Sequence, residues 1–248
     1  MMEFFFLDTE FTHGNFYLGQ IFEISVLSGR TGNVFQSYVN VPASCFTNYV
    51  RNLCGVDMKT IDAAPSFAEA VTSMLEFIVS EQLEVSGAGV LLIAHGGFFS
   101  DFPMLLTNMD IADVSLDVLR HFRFSDSVML MGELGIERPG LSNFLPEGKV
   151  GERRVHSAID DVHLLQEVVT DYLSYEHLVA GSSSFGDILV YRNSKIPISI
   201  RKLRIMVSEY TGGDFMYFRT YLSAWVMKKT SLTLKNLDAV SLKFWTLY

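Results

Sequence analysis

The sequence predicts an α/β fold: a mixed sheet with an antiparallel strand, its faces covered by helices. Short apolar runs alternate with helical patterns along the first 175 or so residues. Two alternating segments, Gln20–Ser28 and Asn33–Val41, flank Gly29-Arg-Thr-Gly32, the pattern of a β-hairpin. A strong helix start at Pro65-Ser66-Phe-Ala-Glu69 then separates this hairpin from the next strand.

Taken in order, Glu3–Asp8 is an apolar run ending in an acid, as expected of a buried strand that delivers a side chain to its tip. After the hairpin, the Ser66/Glu69 capping box opens a helix with Phe67, Val71, Leu75 and Ile78 on one face. Gly87-Ala-Gly89 breaks it before the strand Val90–Ala94, and helical patterning resumes from Asp101 to about Met109. Phe122–Phe124 reads as a further strand ending at Asp126-Ser127. Pro139-Gly140 opens a looser stretch through Gly151, followed by one long helix from His156 to about His177. The predicted organisation is a domain over 1–180, a linker over 181–186 (Gly-Ser-Ser-Ser-Phe-Gly), and a basic, aromatic extension over 187–248.

At 248 residues and 49% hydrophobic, the chain can bury a full core. No apolar run approaches the roughly 18 residues of a membrane span, so no membrane partner is expected. The opening Met-Met-Glu-Phe-Phe-Phe-Leu lacks the basic region and cleavage site of a signal peptide. With two cysteines, Cys45 and Cys54, and no CxxC, neither a zinc site nor a disulfide framework is expected. A reducing intracellular setting, cytoplasm or nucleus, follows as the expectation. The net charge of −9 is unevenly spread: residues 1–185 carry 9 Lys+Arg against 24 Asp+Glu, and residues 186–248 carry 10 against 4. An acidic body does not suit charge-driven coating of duplex DNA. It is compatible with an enzyme that grips a strand end through metal ions.

Three segments carry candidate chemistry. Asp8 and Glu10 lie two apart, so on a strand their carboxylates point the same way and repel unless a cation sits between them. Oxygen ligands of this kind suit Mg2+ or Mn2+, and nuclease sites typically hold two such ions about 4 Å apart. Alone, the pair also reads as a solvated strand exit. Asp101 falls in the first turn of the helix after Val90–Ala94, where the helix dipole alone can account for an acid. His156 and Asp161 on one helix would lie about 140° apart. The pair works together if His156 occupies the entering loop and Asp161 the first turn. A loop histidine beside a metal-bound water suits a general base; alone, it is equally an ordinary surface histidine. His13, His121, His163 and His177 are read as surface residues, and His95 as packing near a strand end.

In this order the segments resemble the three exonuclease motifs of the DEDDh family, which includes polymerase proofreading exonucleases and three-prime repair exonucleases. Asp8 and Glu10 match the Asp-x-Glu of the first motif and Asp101 the aspartate of the second. His156, Ala158 and Asp161 match His-x-Ala-x-x-Asp of the third, which selects Asp161 over Asp160. Ala94-His-Gly-Gly-Phe-Phe-Ser-Asp-Phe-Pro-Met-Leu-Leu106 and Asp126-Ser127 are most similar to the three-prime repair subgroup, and Leu141-Ser-Asn-Phe144 more loosely resembles the segment preceding the third motif. Relatives commonly carry Asn where this chain has Gly96, a loss expected to loosen the loop before Asp101.

The resemblance covers about residues 3–175. It implies an RNase H-like mixed five-stranded sheet flanked by helices. It also implies a 3′→5′ exonuclease that releases nucleoside 5′-monophosphates from single-stranded or frayed ends. Asp8, Glu10, Asp101 and Asp161 would hold two Mg2+ or Mn2+ ions, and His156 would take the proton of the attacking water. Phe11 and Thr12 are candidates to line the terminal-nucleotide pocket, and Phe98 and Phe99 to stack on a base. Partners would be DNA or RNA 3′ ends, with DNA favoured from the second motif; the three-prime repair relatives imply a homodimer. The alternatives are an RNA-trimming enzyme of the same family and an inactive interaction module on this fold. For the basic extension two readings stand: a surface that feeds the strand to the acids, or a helical segment packed on the domain.

Overall fold

A computed structural model describes residues 2–82, 89–136, 140–144 and 157–195 of the chain. The chain opens with three antiparallel strands, β1 (Met2–Phe11), β2 (Ile21–Ser28) and β3 (Val34–Tyr38), of which β2 and β3 form the predicted hairpin. It continues into α1 (Asn48–Cys54), α2 (Met58–Asp62) and α3 (Phe67–Glu81). Then come β4 (Gly89–Ala94), α4 (Asp101–Ile111), β5 (Phe122–Asp126) and α5 (Ser127–Glu133). Last among the described residues are α6 (Ala158–Tyr172), α7 (Tyr175–Ala180), β6 (Ser183–Ser184) and α8 (Phe185–Lys195).

The strands form one six-stranded sheet in the order β3-β2-β1-β4-β5-β6. β1 pairs antiparallel with β2 and parallel with β4, β4 pairs parallel with β5, and β6 runs antiparallel to β5. The hairpin forms where predicted; Gly32 takes φ 75°, a left-handed conformation that suits glycine, and its N–H donates to the Ser28 carbonyl at 2.9 Å. The Ser66/Glu69 capping box forms as expected, with both reciprocal hydrogen bonds present.

The sheet separates two hydrophobic layers. Phe5, Leu7, Ile24 and Leu92 pack with α3, α4 and Ile188 of α8, whereas Phe6, Leu27, Leu91 and Ile93 pack with α6 and Leu178 of α7. β2 is buried along its whole length, although its sequence alternates like a half-exposed strand. It lies inside the sheet, with α6 against one face and α3 against the other. Glu23 and Ser25 are therefore buried with their apolar neighbours.

Three features differ from the sequence expectation. The sheet has a sixth strand, β6, contributed by the Gly181–Gly186 segment: Ser183 and Ser184 pair with Phe124 and Arg123. Arg123 secures this edge by donating from Nε to Ser182 Oγ at 3.0 Å and from its guanidinium to the Ser182 carbonyl. The long helix ends at Tyr172, because Ser174 and His177 form a fresh capping box that starts α7. Finally, α8 begins at Phe185, inside the predicted linker, and packs on α4: Arg192 is buried, donates to the Leu106 carbonyl at 3.1 Å and faces Asp110 at 3.8 Å. Residues 196–248 of the predicted extension lie outside the described residues. Among the described residues, no helix is long and apolar enough to cross a membrane.

Candidate active site

Successive residues of a strand face opposite sides of a sheet. Phe4 and Phe6 lie against the α6 layer, and Phe5 and Leu7 against the α4 layer. The same alternation turns Asp8 and Glu10 towards α6 and Thr9 towards α4. Asp161 stands in the first turn of α6, which begins at Ala158. Each of Asp8, Glu10 and Asp161 offers a carboxylate oxygen, and these oxygens lie within 4.8 Å of one another. Asp161, rather than Asp160, joins the group.

Asp101 opens α4 on the other side of β1. Its Oδ1 accepts from the Thr9 N–H at 3.1 Å and the Thr9 hydroxyl at 2.8 Å, and its Oδ2 accepts from the Ser100 hydroxyl at 2.7 Å. Thr9 thus ties α4 to the strand that carries the other two acids. Asp101 is also the strongest of the charges acting on Asp8. All four predicted acids converge on the end of β1, three as a cage and Asp101 held beside it.

The cage is electrostatically strained. Burial, then the charges of Asp101, Asp161, Glu10 and Glu23, hold the Asp8 carboxyl well above the usual carboxylate range. Burial, then Asp161, Glu23 and Asp101, push Glu10 up to about 8, opposed by a hydrogen bond from Cys54. Asp101 is also raised by burial, against the lowering effect of its Ser100 and Thr9 hydrogen bonds. A set of hard oxygen donors that oppose one another's ionisation is a fit for a small divalent cation, which removes the repulsion on binding.

Two neighbours of Glu10 escape the sequence reading. Glu23 lies directly across the β1–β2 ladder from Glu10, is 1% exposed, and accepts a hydrogen bond from Gln36 Nε2 at 2.7 Å. Its only sequence signal is an acid inside the apolar run Ile21-Phe-Glu-Ile. Cys54, at the end of α1, approaches Glu10 Oε2 with its thiol at 3.8 Å. Burial and the adjacent acids push that thiol up to about 12, which keeps it a donor.

Hydrogen bonds to the Gly96 backbone hold the loop from β4 to Asp101. Gly96 takes φ 71°, with no atom closer than 4.0 Å to the place a Cβ would occupy. Its N–H donates to Asp126 Oδ1 at 3.0 Å and its carbonyl accepts from the Ser100 hydroxyl at 2.9 Å. Asp126, the N-cap of α5, also accepts from Phe98 N–H at 2.9 Å and Val128 N–H at 2.9 Å. One buried carboxylate therefore fastens this loop to α5. His95 bridges the same elements, with Nδ1 2.9 Å from Ser127 Oγ.

The remaining predicted residues fall in different settings. Phe11 is partly buried against the core. Thr12 is 2% exposed, and both its N–H and its hydroxyl bond to the Gln20 backbone, so it closes the 12–20 loop rather than lining an open pocket. Phe98 packs on the core, whereas Phe99 is 54% exposed. His156 lies outside the described residues, two positions before α6.

No protein-family model matches the sequence, and no curated protein matches it significantly. Solved structures do match. One is a 3′-exonuclease whose structure concerns 3′-end specific recognition of histone mRNA stem-loop: 14% identity, 72% of this chain and 64% of that one, TM-score 0.56. Another is cell-death related nuclease 4, with 15% identity over 68% of this chain and 64% of that one, TM-score 0.51. A full-length 3′-exonuclease matches at 14% identity over 73% of this chain and 89% of its own, TM-score 0.52. In the first two, less than two thirds of the neighbour's length is covered. At such identities the likeness is one of fold: this chain shares the α/β fold of these nucleases, a mixed sheet flanked by helices.

Proposed function

We propose that the protein is a divalent-metal-dependent 3′→5′ exonuclease acting on single-stranded or frayed nucleic acid and releasing nucleoside 5′-monophosphates. The observation that carries this reading is the group formed by Asp8 and Glu10 of β1 with Asp161 of α6, their oxygens within 4.8 Å. Asp101 stands beside it, locked to Thr9. These four acids would hold two Mg2+ or Mn2+ ions. When bound, such ions supply an activated water and stabilise the charge that develops on the scissile phosphate. Thr9 and Ser100 orient the Asp101 carboxylate, Asp126 fixes the loop that leads to it, and Cys54 steadies one oxygen of Glu10. His156, matched to the third motif by spacing, takes the proton from the attacking water. Exposed Phe99 offers a ring to a base near the strand end.

DNA is the favoured substrate because the second motif resembles the three-prime repair subgroup. RNA is the second reading, favoured by the neighbour described with histone mRNA stem-loop. Incubation of 5′-labelled single-stranded DNA and RNA of one sequence, with Mg2+ and with chelator, tests the proposal. A metal-dependent ladder shortening from the 3′ end supports it, and the faster of the two assigns the sugar. Intact label in Mg2+ and Mn2+, or cleavage that persists in chelator, overturns it.

A further inference from the structure

We infer that α8, the start of the basic C-terminal segment, forms part of the substrate surface: Tyr191 and Lys195, with Phe99, make an aromatic and cationic platform for single-stranded nucleic acid just 5′ of the nucleotide in the acidic cage. The inference rests on the nuclease reading and extends it to a part of the chain that the family motifs do not reach. Phe99 lies two residues before Asp101 and exposes more than half its surface. Its ring meets Tyr191 edge-on at 5.5 Å and Phe98 edge-on at 5.5 Å, while Phe98 and Tyr191 close the trio at 5.0 Å. Lys195 sits one helical turn beyond Tyr191 on the same face, its Nζ 5.6 Å from the centre of that ring.

A helix used in this way must be rigidly placed. Ile188 is fully buried, and Arg192 is anchored to the Leu106 carbonyl and Asp110. Tyr191 and Lys195 flank this anchored side of the helix, Tyr191 half-buried against the core and Lys195 exposed, so both are held at a fixed position next to the second-motif loop. The exposed ring of Phe99, with the half-buried ring of Tyr191 beside it, offers stacking that tolerates any base, and Lys195 supplies phosphate-directed charge beside an acidic body. An uncharged aromatic patch would suit a protein partner; the adjoining cation and the proximity in sequence to Asp101, which stands beside the acidic cage, favour a strand of nucleic acid.

The test uses the full chain and a fluorescent twelve-nucleotide oligo-dT, with binding measured by anisotropy in Ca2+ and turnover in Mg2+. The p-nitrophenyl ester of thymidine 5′-phosphate, too short to reach the platform, is the comparison substrate. Tyr191→Ala raises both the Kd and the KM of the oligonucleotide about ten-fold, the loss expected for one stacked base. The ester's KM changes far less, and Tyr191→Phe, which keeps the ring, restores binding. Lys195→Ala flattens the salt dependence of oligonucleotide affinity by about 0.7 in log–log slope, one phosphate contact on a single strand. Unchanged oligonucleotide affinity in Tyr191→Ala, with the ester still turned over, overturns the platform alone. If the wild type binds oligo-dT through Tyr191 yet hydrolyses neither substrate, the platform stands and the nuclease reading falls.

Discussion

Replacing Glu10 by Gln removes one member of a repelling group, so it stabilises the metal-free protein while destroying the site's use. Glu10 is pushed from 4.5 to about 8 by burial and three neighbouring carboxylates. At ~1.4 kcal/mol for each tenfold change in acidity, this sets a ceiling of about 5 kcal/mol on the cost of ionising it. Relaxation and water entry, reflected in a high effective dielectric constant, bring the expected effect to about 2 kcal/mol. The sign follows from linkage: a carboxyl with a raised folded-state pKa favours the folded state fully below its ordinary value. That contribution is lost as pH rises from 4.5 towards 8. Wild type and Glu10→Gln should therefore converge in melting temperature in chelator as pH falls below 4.5. At pH 8.5 the variant should melt about 4–8 °C higher, given 2–4 °C per kcal/mol for a domain of this size. Mg2+ should raise the wild-type melting temperature and close the gap, because the ion binds only the folded cage. Equal melting at pH 8.5 in chelator, or a gap of the same size below pH 4.5, refutes the repulsive cage.

His156→Ala should lower turnover about 10²–10⁴-fold while leaving Mn2+ affinity unchanged, as steady-state kinetics and metal titration will show. Gly96→Asn should change stability in denaturant by no more than about 0.5 kcal/mol, since Asn tolerates the left-handed conformation and its Cβ meets open space. Gly96→Val should cost about 1–2 kcal/mol. Asp126→Ala should cost about 2–4 kcal/mol in the same assay and speed hydrogen exchange at the Gly96 and Phe98 amides, which lose a charged acceptor.

What could be read from sequence was local. An apolar run ending in Asp-x-Glu specified a strand with two acids on one face, and Ser66-x-x-Glu69 specified a helix start that forms as written. Motif spacing selected Asp161 over its neighbour Asp160. What stayed hidden depends on register and on contacts distant in sequence. Glu23 meets Glu10 only because the β1–β2 register sets them opposite, and Cys54 reaches Glu10 across 44 residues. β6 is two residues long and made of serines, so it carries neither periodicity nor apolar character, and only Phe124 and Arg123 give it a ladder. The end of α6 at Tyr172 was masked by apolar positions that continue into α7. The cap at Ser174 decides it, with His177 in the position where Glu or Gln is usual.

Whether β1 and α6 together form one divalent-cation cage can be measured by titrating the metal-free protein with Mn2+ and following the free-ion signal by electron paramagnetic resonance at pH 8. Wild-type protein should bind a pair of ions per chain saturably, with affinity weakened at least about ten-fold in Asp161→Asn. An Mn2+ signal left untouched by wild-type protein, or Asp161→Asn that binds as tightly as wild type, contradicts such a cage.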